Sequence, residues 1–379
     1  MAQREPTTPA AITTEADHGL HVTTLHRADL TELFITALPD GGNFRSMFEN
    51  VFAAVRRHEA TLLNMDVFGI PAVTKAGIEA LHDVWGEVTW PVTWLDEGDS
   101  AGTTLTGVTA HAVTDVHVER VVLDGRIVGS VFDDATARRC CLGDLWPADT
   151  SLPRRAQAAA AFDMIERALG TIGMAFRDVV RTWLYLDRLL EWYDVLNAVR
   201  NTLFRDRGVF DGVVPVSTGI GGANAAGAAI IADARAIRPH GDDVTITPLA
   251  SPLQCPALEY GSSFSRALEI TAPDHRRVLV SGTASIDPAG ATAHVGDLEA
   301  QIDLTMRVVA AILESRQMSW RNATRVIAYI KDGTQGDVFA RYLAANGLAE
   351  VPVVTTENDV CRDDLLFEIE ADAVDIVTA

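Results

Sequence analysis

Gly107-Val108-Thr109-Ala110-His111-Ala112-Val113, Ile231-Ala232-Asp233-Ala234-Arg235-Ala236-Ile237 and Glu368-Ile369-Glu370-Ala371-Asp372-Ala373-Val374 are three versions of one apolar strand. Each closes a third of the chain. Only the third version opens with a carboxylate, Glu368. A threefold scaffold that keeps an ionisable group in one copy alone points to one working site among degenerate ones.

The repetition extends backwards from these strands. Each is preceded by a proline-containing strand: Trp90-Pro91-Val92-Thr93, Val214-Pro215-Val216-Ser217 and Val351-Pro352-Val353-Val354. Before those lie amphipathic helices near Ile78 to Trp85, Leu190 to Phe204 and Val338 to Leu343. Earlier still come the strands Val179 to Tyr185 and Thr324 to Ile330, with only the stub Met65 to Phe68 in copy one. The first helix of each copy carries an i, i+3, i+4, i+7 apolar stripe, such as Phe44, Met47, Phe48, Val51, Phe52 and Val55. That spacing suits a helix lying on a sheet. A β segment leads each copy: Leu33 to Thr36, the stretch around Cys141-Leu142-Gly143, and Val278 to Gly282.

The order β-β-α-β-α-β-β predicts an α+β fold, with both helices on one face of a mixed sheet. The period exceeds that of solenoids, so the copies are three small domains. The predicted boundaries are a disordered lead over 1–17, copies over 18–120, 121–238 and 264–379, and a connector over 239–263. The connector holds four prolines and reads as an ordered functional segment or a linker.

The 379 residues are 48% hydrophobic, ample for several cores. A net charge of −21 argues against a nucleic-acid surface, which needs clustered Lys and Arg. It does not exclude an anionic small molecule in a locally basic pocket. No run approaches the ~20 apolar residues of a membrane span, and the polar start lacks a signal core, so a cytoplasmic location is expected. Cys140, Cys141, Cys255 and Cys361 lack CxxC spacing and are expected to be reduced. The histidines show neither HxH nor HExxH spacing, so no metal site is expected.

The repeated pattern resembles the RidA (YjgF) superfamily, whose small α+β subunits, with a chorismate-mutase-like fold, form trimers with ligand clefts between neighbours. Here three such units are fused into a pseudo-trimer. Several words look more like the chorismatase branch: Arg181-Thr182-Trp183-Leu184-Tyr185, Ser217-Thr218-Gly219-Ile220-Gly221, Tyr260-Gly261 with Phe264-Ser265-Arg266-Ala267, His294-Val295-Gly296-Asp297 with Gln301, and Cys361 through Glu370. The resemblance covers the last two thirds of the chain. It implies enolpyruvyl-ether cleavage with Glu368 as the acid and no cofactor. It implies substrate binding by Arg181, Arg266, Tyr260, Cys361, Ala267, Gly282 and Thr283, in the cleft between copies two and three. Cys361 resembles the subtype that yields hydroxybenzoate, and Ala267 the one that yields a dihydroxycyclohexadienoate. The connector Ser251 to Glu259 departs from the chorismatase pattern.

The residues carry their own chemistry. Period-two alternation puts Leu366, Glu368 and Glu370 on one strand face and Phe367 and Ile369 on the other. Desolvation raises a carboxyl pKa, as a general acid near neutral pH requires. On a solvated edge strand the same residues would be ordinary surface glutamates. Arg181, between Val180 and Trp183, suits a substrate carboxylate or a structural ion pair with an acid of a neighbouring copy. Arg266 sits in a similar aromatic setting and completes a pair of cations for a dicarboxylate. Lys331 and Arg362 are reserves. Tyr260 can donate to a carboxylate or to a backbone carbonyl. Cys361 lacks an activating partner and is expected to pack against the ring. Asp297 is a plausible N-cap, with His294 structural. The run Gly219 to Asn224 is expected to be a tight turn near the cleft rather than a dinucleotide loop.

Two other functions fit the pattern. A RidA-type imine or enamine hydrolase relies on an arginine two residues after the strand proline. Those positions are Thr93, Ser217 and Val354 here. A non-catalytic ligand-binding pseudo-trimer predicts no acid kept in a cleft. The partner expected is a small carboxylated substrate, and fusion favours a monomer because the trimer interfaces are internal.

Overall fold

The computed structural model describes residues 10–40, 43–69, 71–96, 106–260 and 262–377. Copy one runs β1 (Ala11–Asp17), β2 (Leu20–His26), β3 (Thr31–Ala37), α1 (Arg45–Arg57), β4 (Thr61–Gly69), α2 (Pro71–Trp85), β5 (Val92–Asp96) and β6 (Gly107–Thr114). Copy two follows with β7 (Glu119–Leu123), β8 (Arg126–Asp133), β9 (Ala137–Leu145), α3 (Arg154–Thr171), β10 (Val179–Leu186), α4 (Tyr193–Asp206), β11 (Val216–Gly221) and β12 (Ile230–Pro239). Copy three has β13 (Thr245–Leu249), β14 (Ala267–Thr271), β15 (His275–Ala284), α5 (Leu298–Glu314), β16 (Ala323–Ile330), α6 (Gly336–Ala345), β17 (Val353–Glu357) and β18 (Phe367–Ile376).

The three sheets share one strand order: β1-β2-β3-β6-β4-β5, β7-β8-β9-β12-β10-β11 and β13-β14-β15-β18-β16-β17. The α+β repeat therefore stands, with one more leading strand per copy than its sequence pattern showed. Three boundaries change with it. Ala11–Asp17, expected to be disordered, is an edge strand paired antiparallel with β2 from Ala11↔His26 to Asp17↔Leu20. Most of its side chains are exposed, so no apolar alternation marked it. The connector contributes β13, also an outer strand, and so belongs partly to the third sheet. The stub Met65 to Phe68 is the nine-residue β4, which buries both of its faces and so shows no period.

Each sheet turns one face to its helices. α1 buries Met47, Phe48, Val51, Ala54 and Val55; α3 buries Phe162, Ile165 and Leu169; α5 buries Ile302, Met306, Val309 and Leu313. Burial of this kind gives roughly 1.5–3 kcal/mol per large side chain. The opposite faces meet around a common centre. There Phe68, Trp183, Tyr185, Ile220, Ile231, Ala284, Ile327, Tyr329 and Val354, drawn from all three copies, form one apolar cluster.

Beside that cluster is an ionic layer in which Arg181 and Arg325 meet Glu370, Asp372 and Asp66. Further along, Arg27, Arg139 and Arg277 surround Glu32 and Asp134. These side chains are buried, and their mutual pairing offsets the cost of desolvation. Ladder register makes the closing strands equivalent: Gly107 lies opposite Phe68, Ile231 opposite Tyr185, and Glu368 opposite Tyr329.

Candidate active site

Glu368 is the second residue of β18, flanked by Ala284 on β15 and Tyr329 on β16. Phe367 and Ile369 enter the helix-facing core of copy three. Alternation therefore turns Glu368 and Glu370 to the opposite face, where the copies meet. Glu368 lines a cavity of 260 Å³ between copies two and three yet is only 5% exposed. Among the described residues none hydrogen-bonds to its carboxyl. Burial first, then the charge of Glu370, pushes its pKa up to about 8, against a smaller opposing pull from Arg266. Near neutral pH it is a carboxylic acid that can give up a proton.

The junction is stitched by the Phe264-Ser265-Arg266 segment. The Ser265 amide donates to Pro215 O at 3.1 Å, and its hydroxyl donates to Val214 O at 2.7 Å. The Ser281 hydroxyl donates to Ser265 O at 2.6 Å and accepts the Ser217 amide at 2.9 Å. The loop between β17 and β18 is tied to β11, because Asn358 donates to Gly221 O at 2.8 Å and the Gly221 amide donates to Asp359 O at 2.8 Å. Gln301 holds the loop's far end through Asp364 O and the Leu366 amide. Cys361, Arg362 and Leu365 are thereby fixed in the cavity wall.

Two guanidiniums flank the Phe264 ring, Arg266 at 5.6 Å and Arg200 at 5.9 Å from its centroid. Arg266 Nε donates to Cys255 O at 3.0 Å. Arg200, on α4, donates to Asn197 Oδ1 at 2.7 Å and approaches Ser217 Oγ at 3.4 Å. With Arg362 they give the cavity three arginines. Burial and the neighbouring Glu368 push the Cys361 thiol up to about 12, which suits a wall residue and not a nucleophile. Among the described residues no group of three His, Cys, Asp or Glu side chains is placed to hold a metal ion.

Glu368, Arg266, Cys361 and Gly282 thus come together, while three expected substrate contacts do not. Arg181 is fully buried outside the cavity wall, donating to Glu370 at 2.9 Å, Asp372 at 2.7 Å and Val280 O at 3.1 Å. It is the structural ion pair, formed with acids of copy three. Ala267 packs in the helix-facing core of copy three, on the opposite strand face from Arg266. The product marker assigned to it therefore has no place at the cavity. Thr283 is likewise one residue out of phase with Gly282, and its hydroxyl donates to Ser281 O at 2.8 Å.

The backbone of Tyr260 ends the short 3-10 turn Ala257–Tyr260, and its side chain lies outside the described residues. Gly219 lines the cavity from within β11, where a turn was expected. Asp297 caps α5 by accepting the Ala300 amide at 3.0 Å, and His294 supplies a carbonyl to Gln301. Arg200 is the residue that sequence reading missed. Its signal was an arginine within the buried helical stripe Leu196, Val199, Phe204.

Gly282 is required by close approach. A Cβ there would overlap Glu368 Oε1 outright and lie 3.1 Å from its Cδ and 3.2 Å from Thr218 Cγ2. Gly282→Ala is expected to swing the carboxyl aside and, in any reaction that draws on its proton, to cost about 10²-fold in rate. Stability should fall by only about 1–3 kcal/mol. Steady-state rates compared with a denaturant curve check this; equal rates would mean that the placement of Glu368 does not matter.

No protein-family model matches the chain, and no curated protein matches it. Among solved structures, a crystal structure of chorismatase superposes with a TM-score of 0.61 at 18% identity, covering 83% of this chain and 93% of that one. RidA from an Antarctic Psychrobacter aligns at 18% identity with a TM-score of 0.28, over 34% of this chain and 97% of its own. The chain thus has the fold seen in that chorismatase crystal structure. No described helix is long and apolar enough to cross a membrane.

Proposed function

We propose that this protein is a chorismatase-like enzyme that cleaves the enolpyruvyl ether of chorismate or a related carboxylated ring and releases pyruvate. The observation that carries the proposal is Glu368, a buried carboxyl that keeps its proton near neutral pH and faces a cavity bearing three arginines. Arg266 and Arg200, spread around Phe264, suit the two carboxylates of such a substrate.

Glu368 transfers its proton to the terminal methylene carbon of the enol ether. The electron pair of the C=C bond forms the new C–H bond, and the ether oxygen stabilises the resulting oxocarbenium ion. Water adds to that cation and passes a proton to the Glu368 carboxylate; the hemiketal then breaks its bond to the ring oxygen, which takes the hemiketal hydroxyl proton, and pyruvate leaves. In the other route a ring hydroxyl attacks the adjacent ring carbon and breaks that carbon's bond to the ether oxygen, so that pyruvate leaves directly and the hydroxyl proton returns to Glu368. General acid catalysis of this type contributes about 10²–10⁴-fold.

The test is incubation with chorismate, following pyruvate and the ring product. Release by the wild type is expected, and the ring product identifies the route of capture. No release at high enzyme concentration sinks chorismate as the substrate.

One observation favours a second reading, an imine or enamine hydrolase. Arg200 brings a guanidinium from the helix to Ser217, a position where that activity relies on an arginine from the strand. Ammonia release from an imine, with none of the chorismate products, would select it.

A further inference from the structure

We propose that Glu370 is a positioning residue for Glu368: a permanent carboxylate, clamped from three strands, that keeps its neighbour on β18 in the proton-bearing form. The proposal rests on the reading of Glu368 as the acid.

The two carboxyls project from one strand face two residues apart, about 7 Å along the chain. Glu370 is wholly buried. It accepts hydrogen bonds from Arg181 at 2.9 Å, from Trp183 Nε1 at 2.9 Å, and from Arg325 and the Thr218 hydroxyl. Two guanidiniums and two neutral donors hold the anion and fix its position. Thr218 then links it to the acid's seat, because its oxygen also accepts the Gly282 amide at 3.2 Å, and Gly282 is the residue against which the Glu368 carboxyl lies. Like charges this close cannot both ionise cheaply, so environments that drive two carboxylates apart assign the roles of anion and acid. The clamp holds Glu370 down at about 2 while Glu368 stands high.

Copy two supplies an internal comparison. There the Asp144 amide donates to Thr93 at 3.0 Å, and the Thr93 hydroxyl donates to Asp233 at 2.9 Å. This is the same amide, hydroxyl and carboxylate in register-equivalent positions. Among the described residues the donors to Asp233 are Thr93 and the Asp144 amide, and burial with Asp66 nearby pushes its carboxyl far up. The position two residues before it is Ile231. Among the described residues this carboxylate has no guanidinium clamp, and the strand position two residues before it carries no acid.

The other groups around Glu368 are Arg266 before β14, Cys361 and Arg362 on the β17–β18 loop, Tyr329 on β16, and Tyr193, Asp194 and Arg200 on α4. Around Glu370 stand Arg181 and Tyr185 on β10, Arg325 and Tyr329 on β16, Asp372 on β18, Asp66 on β4 and Asp233 on β12. Of the carboxylates in these two sets, only Glu370 shares both a strand face and the Thr218 link with Glu368.

The experiment is a carboxyl ¹³C NMR titration of protein labelled at glutamate, with Glu368 assigned from Glu368→Gln. Glu370→Gln should lower the Glu368 midpoint by about one pH unit or more, and Glu370→Asp should hold it near the wild-type value. An unchanged midpoint in Glu370→Gln overturns the proposal. If that variant does not fold, the wild-type spectrum at pH 6 decides. Glu370 ionised beside a protonated Glu368 supports the pairing, and any other combination overturns it. Because the titration needs no turnover, it separates this proposal from the assignment of chorismate as substrate.

Discussion

Glu368→Gln should slow pyruvate release about 10²–10⁴-fold and at the same time make the protein harder to unfold at pH 7. The first effect follows from removing the cavity-wall carboxyl that carries a proton near neutrality. The second follows from linkage. The folded carboxyl titrates at about 8 against 4.5 for an unperturbed glutamate. As pH rises between those values, the unfolded chain releases the proton that the folded chain keeps, so stability falls across that window. At pH 7 the penalty is roughly 3 kcal/mol. Glutamine removes it, so the gain should be present at pH 7 and fade towards pH 4. Denaturant midpoints at the two pH values, beside pyruvate assays, check both halves. A variant that is inactive and also less stable at pH 7 would mean that Glu368 supports the fold.

Arg181→Met is expected to do the reverse, costing about 3–5 kcal/mol of stability while leaving the KM of any folded enzyme near the wild-type value. Arg181 is fully buried and pairs at once with Glu370 and Asp372. Removing one partner of a buried pair strands charge in a medium that cannot solvate it. Arg325 and Arg235 still reach the same two acids, which argues for the lower half of that range. Equilibrium unfolding gives the first number and substrate titration the second. An unchanged unfolding curve with a greatly raised KM would return Arg181 to the substrate.

The contrast between Arg181 and Arg200 shows what the chain's linear pattern can reveal. A cation among apolar residues announces a buried partner, but the partner's identity depends on which copy folds over it. Arg181 on β10 meets acids nearly two hundred positions away, whereas Arg200 on α4 faces the cavity. Both read alike in sequence. Strand parity was the stronger signal. It placed Glu368 and Glu370 opposite Phe367 and Ile369 correctly but not Leu366, which precedes β18 and packs with the helix-facing core; applied to Arg266-Ala267 and Gly282-Thr283 it allows only one of each pair at a given face. The three closing strands were legible because each sheet buries them at the same register. The outer strands β1 and β13 were not, because backbone pairing holds an edge strand whose side chains mostly face water.

Joining three units in one polypeptide frees each interface to differ. In a ring of identical subunits every substitution is inherited by all three seams, so a buried, proton-bearing glutamate would tax each of them. Here the seam between copies two and three carries Glu368 beside Gly282, while its counterpart between copies one and two carries Ile231 beside Asp144. The cost of burying Glu368 falls on one seam alone, and a substitution that suits that cleft is not imposed on the other two.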